Sequence, residues 1–202
     1  GEAPPPPTDW GTTQYADLVE RYLTERVSGT VMLIGHSFGG RVSVRLASRQ
    51  LPQVAGVVLI GVPGLPVLGW TRQRVRREGI RWLRRGLHIV RPLTGPVPLA
   101  WHTRRYGSKD YMAAGDLRQV LVKSVTEDLT DSARQSSCPF LLIYGTDDSE
   151  TPPWLGVRYR DLMPGRATLD LLPHKDHHMY SGTGAHLCAF KIRQWLETLS
   201  PP

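Results

Sequence analysis

Apolar residues along this chain fall into two alternating patterns. From Thr13 to Val27 they recur at spacings of three and four (Tyr15, Leu18, Val19, Tyr22, Leu23, Val27), with Glu20, Arg21, Glu25 and Arg26 between them. That spacing predicts an amphipathic helix, ended by Ser28-Gly29. Val31-Met32-Leu33-Ile34 is a short apolar run bounded by glycines, the length of a strand buried on both faces. Gly39 to Arg49 reads as helix, and Gly56 to Gly61 repeats the buried-strand run. The order helix, strand, helix, strand predicts a parallel sheet with right-handed crossovers, an α/β fold.

The pattern resumes after a long gap. Phe140 to Gly145 is a third strand, followed by a turn-rich stretch and a helix starting near Pro152-Pro153, where proline suits a first turn. Ala167 to Leu172 is a fourth strand. A closing helix runs to about Leu199, with Ala185, Cys188, Ile192, Trp195, Leu196 and Leu199 on one face. Pro4 to Pro7 is a stiff extended lead-in.

Charge separates the gap from the rest. Between Leu65 and Ser137 there are 14 Lys and Arg against 6 Asp and Glu, while the remainder holds 11 against 12. The whole chain's net charge of +7 therefore belongs to this insert. Its densest part holds Arg72, Arg74, Arg76, Arg77, Arg81, Arg84, Arg85 and Arg91 against Glu78, with Trp70, Trp82, Trp101, Tyr106 and Tyr111 nearby. No buried-strand run interrupts it, so it reads as mostly helical. Such arginines either face water or meet an anionic partner, and they form no recognisable nucleic-acid-binding motif, so no nucleic acid is expected. The 202 residues suit one main domain, divided as core (1–64 and 138–202) and insert (65–137). No run of about eighteen uncharged apolar residues is present, so no membrane span is expected. Cys138 and Cys188 read as small buried thiols without metal-ligand spacing, which fits a cytoplasmic location.

The chemistry concentrates in three places. Gly35-His36-Ser37-Phe38-Gly39 is a G-x-S-x-G pentapeptide between a strand and a helix. A sharp turn there lifts the Ser37 hydroxyl clear of the sheet and aims the Phe38 amide, at a helix N-terminus, toward a developing oxyanion. The flanking Gly35 and Gly39 are expected to be glycine because a side chain at either would collide. A serine hydroxyl needs a base, and the base needs an acid to fix its tautomer. Asp147 and Asp148 follow the third strand, and His174, Asp176, His177 and His178 follow the fourth. His36 reads as a packing or hydrogen-bonding residue. The histidine cluster lacks a second ligand cluster, so neither a metal nor another cofactor is expected.

These motifs, spread from Gly1 to about Leu199, resemble the α/β-hydrolase superfamily, close to its lidded carboxylesterase-like members. The resemblance implies a mostly parallel sheet flanked by helices. The family's nucleophile motif falls on Gly35 to Gly39, with Gly40 as the frequent extra glycine. Its acid usually lies three residues after the glycine ending the strand, which selects Asp148 over Asp147. Its histidine usually follows a glycine; here Asp176 stands in that place before His177, leaving His178 and His174 as lesser candidates. The implied catalytic set is Ser37, Asp148 and His177, with the Phe38 amide in the oxyanion hole.

The resemblance also implies a lid over the site at residues 65–137 and several strands ahead of the elbow. Gly1-Glu2-Ala3 resembles the end of a family loop that follows the fourth strand, so the fold is expected to be N-terminally incomplete. The second oxyanion donor comes from an earlier loop, and losing one donor costs about 2.7 to 4 kcal/mol in the transition state. The chain as given is therefore expected to be nearly inactive. Two functions follow: a hydrolase cleaving a small-molecule carboxylic ester, or a non-catalytic member whose basic lid binds an anionic partner.

Overall fold

The computed structural model describes residues 4–7, 10–66 and 117–199. The chain divides into two compact units, one of Asp9–Leu65 with Val122–Pro202 and one of Gly1–Thr8 with Pro66–Leu121. Most of the basic insert, residues 67–116, lies outside the described residues, and with it the reading of that span as a helical lid.

In the larger unit the elements run α1 (Thr12–Arg26), β1 (Val31–His36), α2 (Phe38–Ala47) and β2 (Val54–Ile60). Helix α3 (Arg118–Thr126) begins in the smaller unit and ends in the larger. Then come α4 (Thr130–Gln135), β3 (Phe140–Gly145), α5 (Trp154–Leu162), β4 (Ala167–Leu172) and α6 (Gly182–Leu199). The strands form one parallel sheet in the order β1-β2-β3-β4. Neighbouring parallel strands must be joined by crossovers, and this arrangement brings every strand's C-terminal end to the same edge.

Strands β2 and β3 explain why the sequence shows unbroken apolar runs. Val57, Leu59, Phe140, Leu142 and Tyr144 join one core with Val44 and Leu46 of α2 and Leu155 and Tyr159 of α5. The alternate residues Val58, Ile60, Leu141 and Ile143 join a second core with Cys188 and Trp195 of α6. Both faces are covered, so no polar alternation survives. Strand β1 departs from its expectation: Ile34 is 59% exposed. Trp195 of α6 packs over Gly56 of β2, and among the described residues no element covers Ile34 from that side. Helix α6 also differs in detail. Gly184, Cys188 and Trp195 are buried, Cys188 and Trp195 in the core beside β2 and β3, whereas Leu196 and Leu199 lie outside that core and are exposed. Cys188 is buried, Cys138 is half-buried, and neither is paired.

Charged groups fasten α1 and α2 together. Arg49 donates to Glu20 and, at 2.5 Å, to Asp17. Glu127 accepts from the amide and hydroxyl of Thr12 at the start of α1, where the helix dipole favours an anion, and Arg45 lies 3.6 Å from the same carboxylate. The buried Arg41 guanidinium donates to the Ser124 carbonyl.

Candidate active site

Strand β1 ends at His36 and α2 starts at Phe38, leaving Ser37 alone to make the turn. Its backbone takes φ 48° and ψ −110°, a left-handed conformation that a non-glycine residue holds at a cost of about 1–3 kcal/mol. The Ser37 amide donates to the Ile60 carbonyl at 3.1 Å, tying the turn to the end of β2. The Phe38 amide belongs to the first turn of α2, where an α-helix has no acceptor of its own. The Phe38 ring packs edge-on against Tyr15 of α1, with centroids 5.1 Å apart.

Of the two glycines flanking the turn, Gly35 meets the expectation and Gly39 does not. A Cβ at Gly35 would lie 2.6 Å from the Gly40 backbone, so a side chain there is excluded. A Cβ at Gly40 would lie 2.1 Å from a Val62 methyl. Gly39, by contrast, has no atom of the described residues within 4 Å of its missing Cβ and is exposed. The strand and helix cross at Gly35 and Gly40, and Gly39 lies on the outer side of the first helical turn. Steric need therefore falls on Gly40 rather than Gly39.

The loops after β3 and β4 are laced together. Asp147 donates its amide to the Lys175 carbonyl at 3.0 Å, and the His174 amide donates to Thr146 Oγ1 at 2.9 Å. This lacing places His177 Nδ1 at 2.9 Å from Asp148 Oδ2. Asp148 is buried and fully used as an acceptor. Oδ1 takes the amides of Glu150 (2.8 Å) and Thr151 (2.7 Å), and Oδ2 takes the Thr151 hydroxyl as well as the imidazole. Burial works to raise the Asp148 pKa, but hydrogen bonds from His177 and Thr151 outweigh it, and the carboxyl lies below its ordinary value. An ionised acceptor at Nδ1 keeps the proton on that nitrogen and leaves Nε2 as the basic one.

The other polar groups separate clearly. Asp147 is exposed, with His174 Nδ1 3.9 Å from its carboxylate, and His174 is itself exposed. His178 and Asp176 are exposed too, the Asp176 carboxylate accepting the His178 amide at 2.9 Å. Gly61, at φ +52°, backs the acid and imidazole: a Cβ there would meet Thr151 Oγ1 at 3.1 Å and both Asp148 Oδ2 and His177 Nδ1 at 3.3 Å. Three contributors were not singled out from sequence: Thr151, Gly61 and Glu150, whose carboxylate stands 3.9 Å from His177 Nε2. The spacing from Asp148 to Glu150 suits an aspartate turn, in which the carboxylate accepts the amide two residues on, but no sequence signal directs Thr151, Glu150 or Gly61 to the acid–imidazole pair. Among the described residues no group of three or more His, Cys, Asp or Glu is placed to hold a metal ion.

A strained serine turn ahead of a helix and a buried carboxylate-imidazole pair stand at the same edge of the parallel sheet. The pattern of the alpha/beta hydrolase family matches residues 1–185, and the chain belongs to that family. No curated protein matches it. Solved structures share the fold at low identity. A thermophilic esterase from Thermogutta terrifontis is 21% identical, with TM-score 0.61, over 100% of this chain and 77% of its own. A serine hydrolase involved in carbazole degradation is 18% identical, with TM-score 0.64, over 96% and 74%. The meta-cleavage product hydrolase CumD from Pseudomonas fluorescens is 17% identical, with TM-score 0.63, over 98% and 76%. Among the described residues no helix is long and apolar enough to cross a membrane.

Proposed function

We propose that this protein is a serine hydrolase that cleaves a carboxylic ester of a small molecule through an acyl-Ser37 intermediate. In the first half, His177 Nε2 takes the Ser37 hydroxyl proton as Oγ bonds to the ester carbonyl carbon. The oxyanion is met by the Phe38 amide, and collapse expels the alcohol, which takes its proton from the His177 imidazolium. In the second half, water loses a proton to His177 as it attacks the acyl carbon, and the acid leaves as Ser37 recovers its hydrogen. Asp148 stabilises the imidazolium without itself becoming protonated. By composition, the aromatic residues of the insert at 65–137 favour an apolar acyl group.

The observation that carries this reading is the 2.9 Å contact between His177 Nδ1 and a buried carboxylate beside the Ser37 turn. A carboxylate with every lone pair occupied cannot rotate away, so the imidazole has one orientation and one tautomer. A fluorophosphonate probe tests the assignment in the full-length protein. Labelling at Ser37 that vanishes in Ser37→Ala, with a loss of about 10⁴-fold or more in kcat/KM on p-nitrophenyl esters, is the expected result. No labelling of the folded, full-length protein would leave the basic insert as the binder of an anionic partner instead.

A further inference from the structure

We propose that His36, the residue before the nucleophile, is a positioning residue that ties the loop carrying His177 to the serine turn. The inference rests on the triad reading above and adds a second restraint to it. His36 Nε2 lies 3.0 Å from the backbone carbonyl oxygen of His177, to which it donates. Its ring lies 4.7 Å from the His177 ring and 4.2 Å from the Tyr180 ring, centroid to centroid. The same side chain therefore touches the backbone, the imidazole and the downstream flank of the histidine loop.

The topology makes this link consequential. His36 ends β1 and His177 follows β4, the two outermost strands among the described residues, so no ladder joins them directly. The Asp148 bond governs how the His177 ring is turned, but it comes from the loop after β3. The His36 bond instead reaches from the nucleophile's own strand to the His177 main chain. Together they restrain the imidazole from both sides. A displacement of about 1 Å between reacting groups costs on the order of 100-fold in rate. Burial lowers the His36 pKa, opposed in part by the bond to His177, so the ring is held neutral. A neutral ring with its proton on Nε2 donates that bond without placing a second cation beside the imidazolium.

The test compares His36→Phe, His36→Gln and His36→Asn in the full-length protein, with p-nitrophenyl acetate and butyrate as substrates and Tm as the fold control. Phe keeps the ring contacts and has no donor; the Gln amide reaches the carbonyl from nearly the Nε2 position; the Asn amide is too short. The expected result is a fall in kcat of about 10- to 100-fold for Phe and Asn with KM within about twofold, and recovery to within about threefold of the parent for Gln. Wild-type kcat in the Phe variant, or Gln and Asn impaired alike, would overturn the proposal. If the Phe variant does not fold, the Gln and Asn pair decides on the same terms. Ser37→Ala and His177→Ala run alongside: if these retain activity, the triad reading has failed, whereas full loss in them with normal His36 variants refutes this inference alone.

Discussion

Asp148 accepts four hydrogen bonds in a buried site, and this density makes its ionisation a stability matter as well as one on which the proposed catalysis depends. Its folded pKa is depressed, so the unfolded chain binds the proton more readily and stability rises with pH. The contribution is present above the ordinary carboxyl value of about 3.9 and is lost as pH falls through the lower folded value. Urea denaturation from about pH 5 down to 2 should show a steeper loss in the wild type than in Asp148→Asn. The same variant should lose about 10³- to 10⁴-fold in kcat, because a neutral amide no longer dictates which imidazole nitrogen carries the proton. Thr151 acts one step further out, its hydroxyl sharing Asp148 Oδ2 with His177. Thr151→Val should destabilise the fold by about 1–2 kcal/mol and lower kcat by roughly tenfold, with Thr151→Ser close to wild type; equal kcat in both variants would remove Thr151 from the positioning set. The family resemblance selects Asp148 over Asp147, but nothing in the residues directs Thr151, Glu150 and Gly61 to the same pair. The loops after β2, β3 and β4 supply Gly61, the Asp148–Glu150–Thr151 stretch and His177, and only folding brings the three together.

At the scale of elements, the turn between β1 and α2 was legible because a G-x-S-x-G run between an apolar strand and a helix leaves little conformational choice. Which glycines are indispensable was not, since that depends on where two backbones cross. Gly40→Ala would drive a methyl into Val62 and should cost about 1–3 kcal/mol. Gly39→Ala places its methyl on a helix with no atom of the described residues within 4 Å and should be neutral or stabilising by about 0.5–1 kcal/mol. Chemical denaturation of the two variants measures this directly, and equal losses would contradict the crossing described here. Element boundaries shifted by a residue or two, as expected where helix ends fray. Pro153 became the cap of α5, immediately before its first turn.

For the whole molecule, stability lies in the doubly covered centre of the sheet. Leu142, fully buried between β2, β4 and the helices on one face, should cost about 2–5 kcal/mol when cut to Ala, whereas Leu199→Ala at the exposed end of α6 should change little. Guanidinium midpoints compare the two, and similar losses would mean that α6 buries more than its exposure indicates. The uninterrupted apolar runs of β2 and β3 and the serine turn between β1 and α2 were determined by the sequence alone, because each is local or depends on periodicity, which short stretches of chain encode. The exposure of Ile34, the limits of the α6 stripe, the tightness at Gly40 and the reach of His36 to the His177 carbonyl were decided only by tertiary structure. Those depend on which surfaces lie opposite one another, and a linear pattern of apolar and polar residues carries the faces but not their partners.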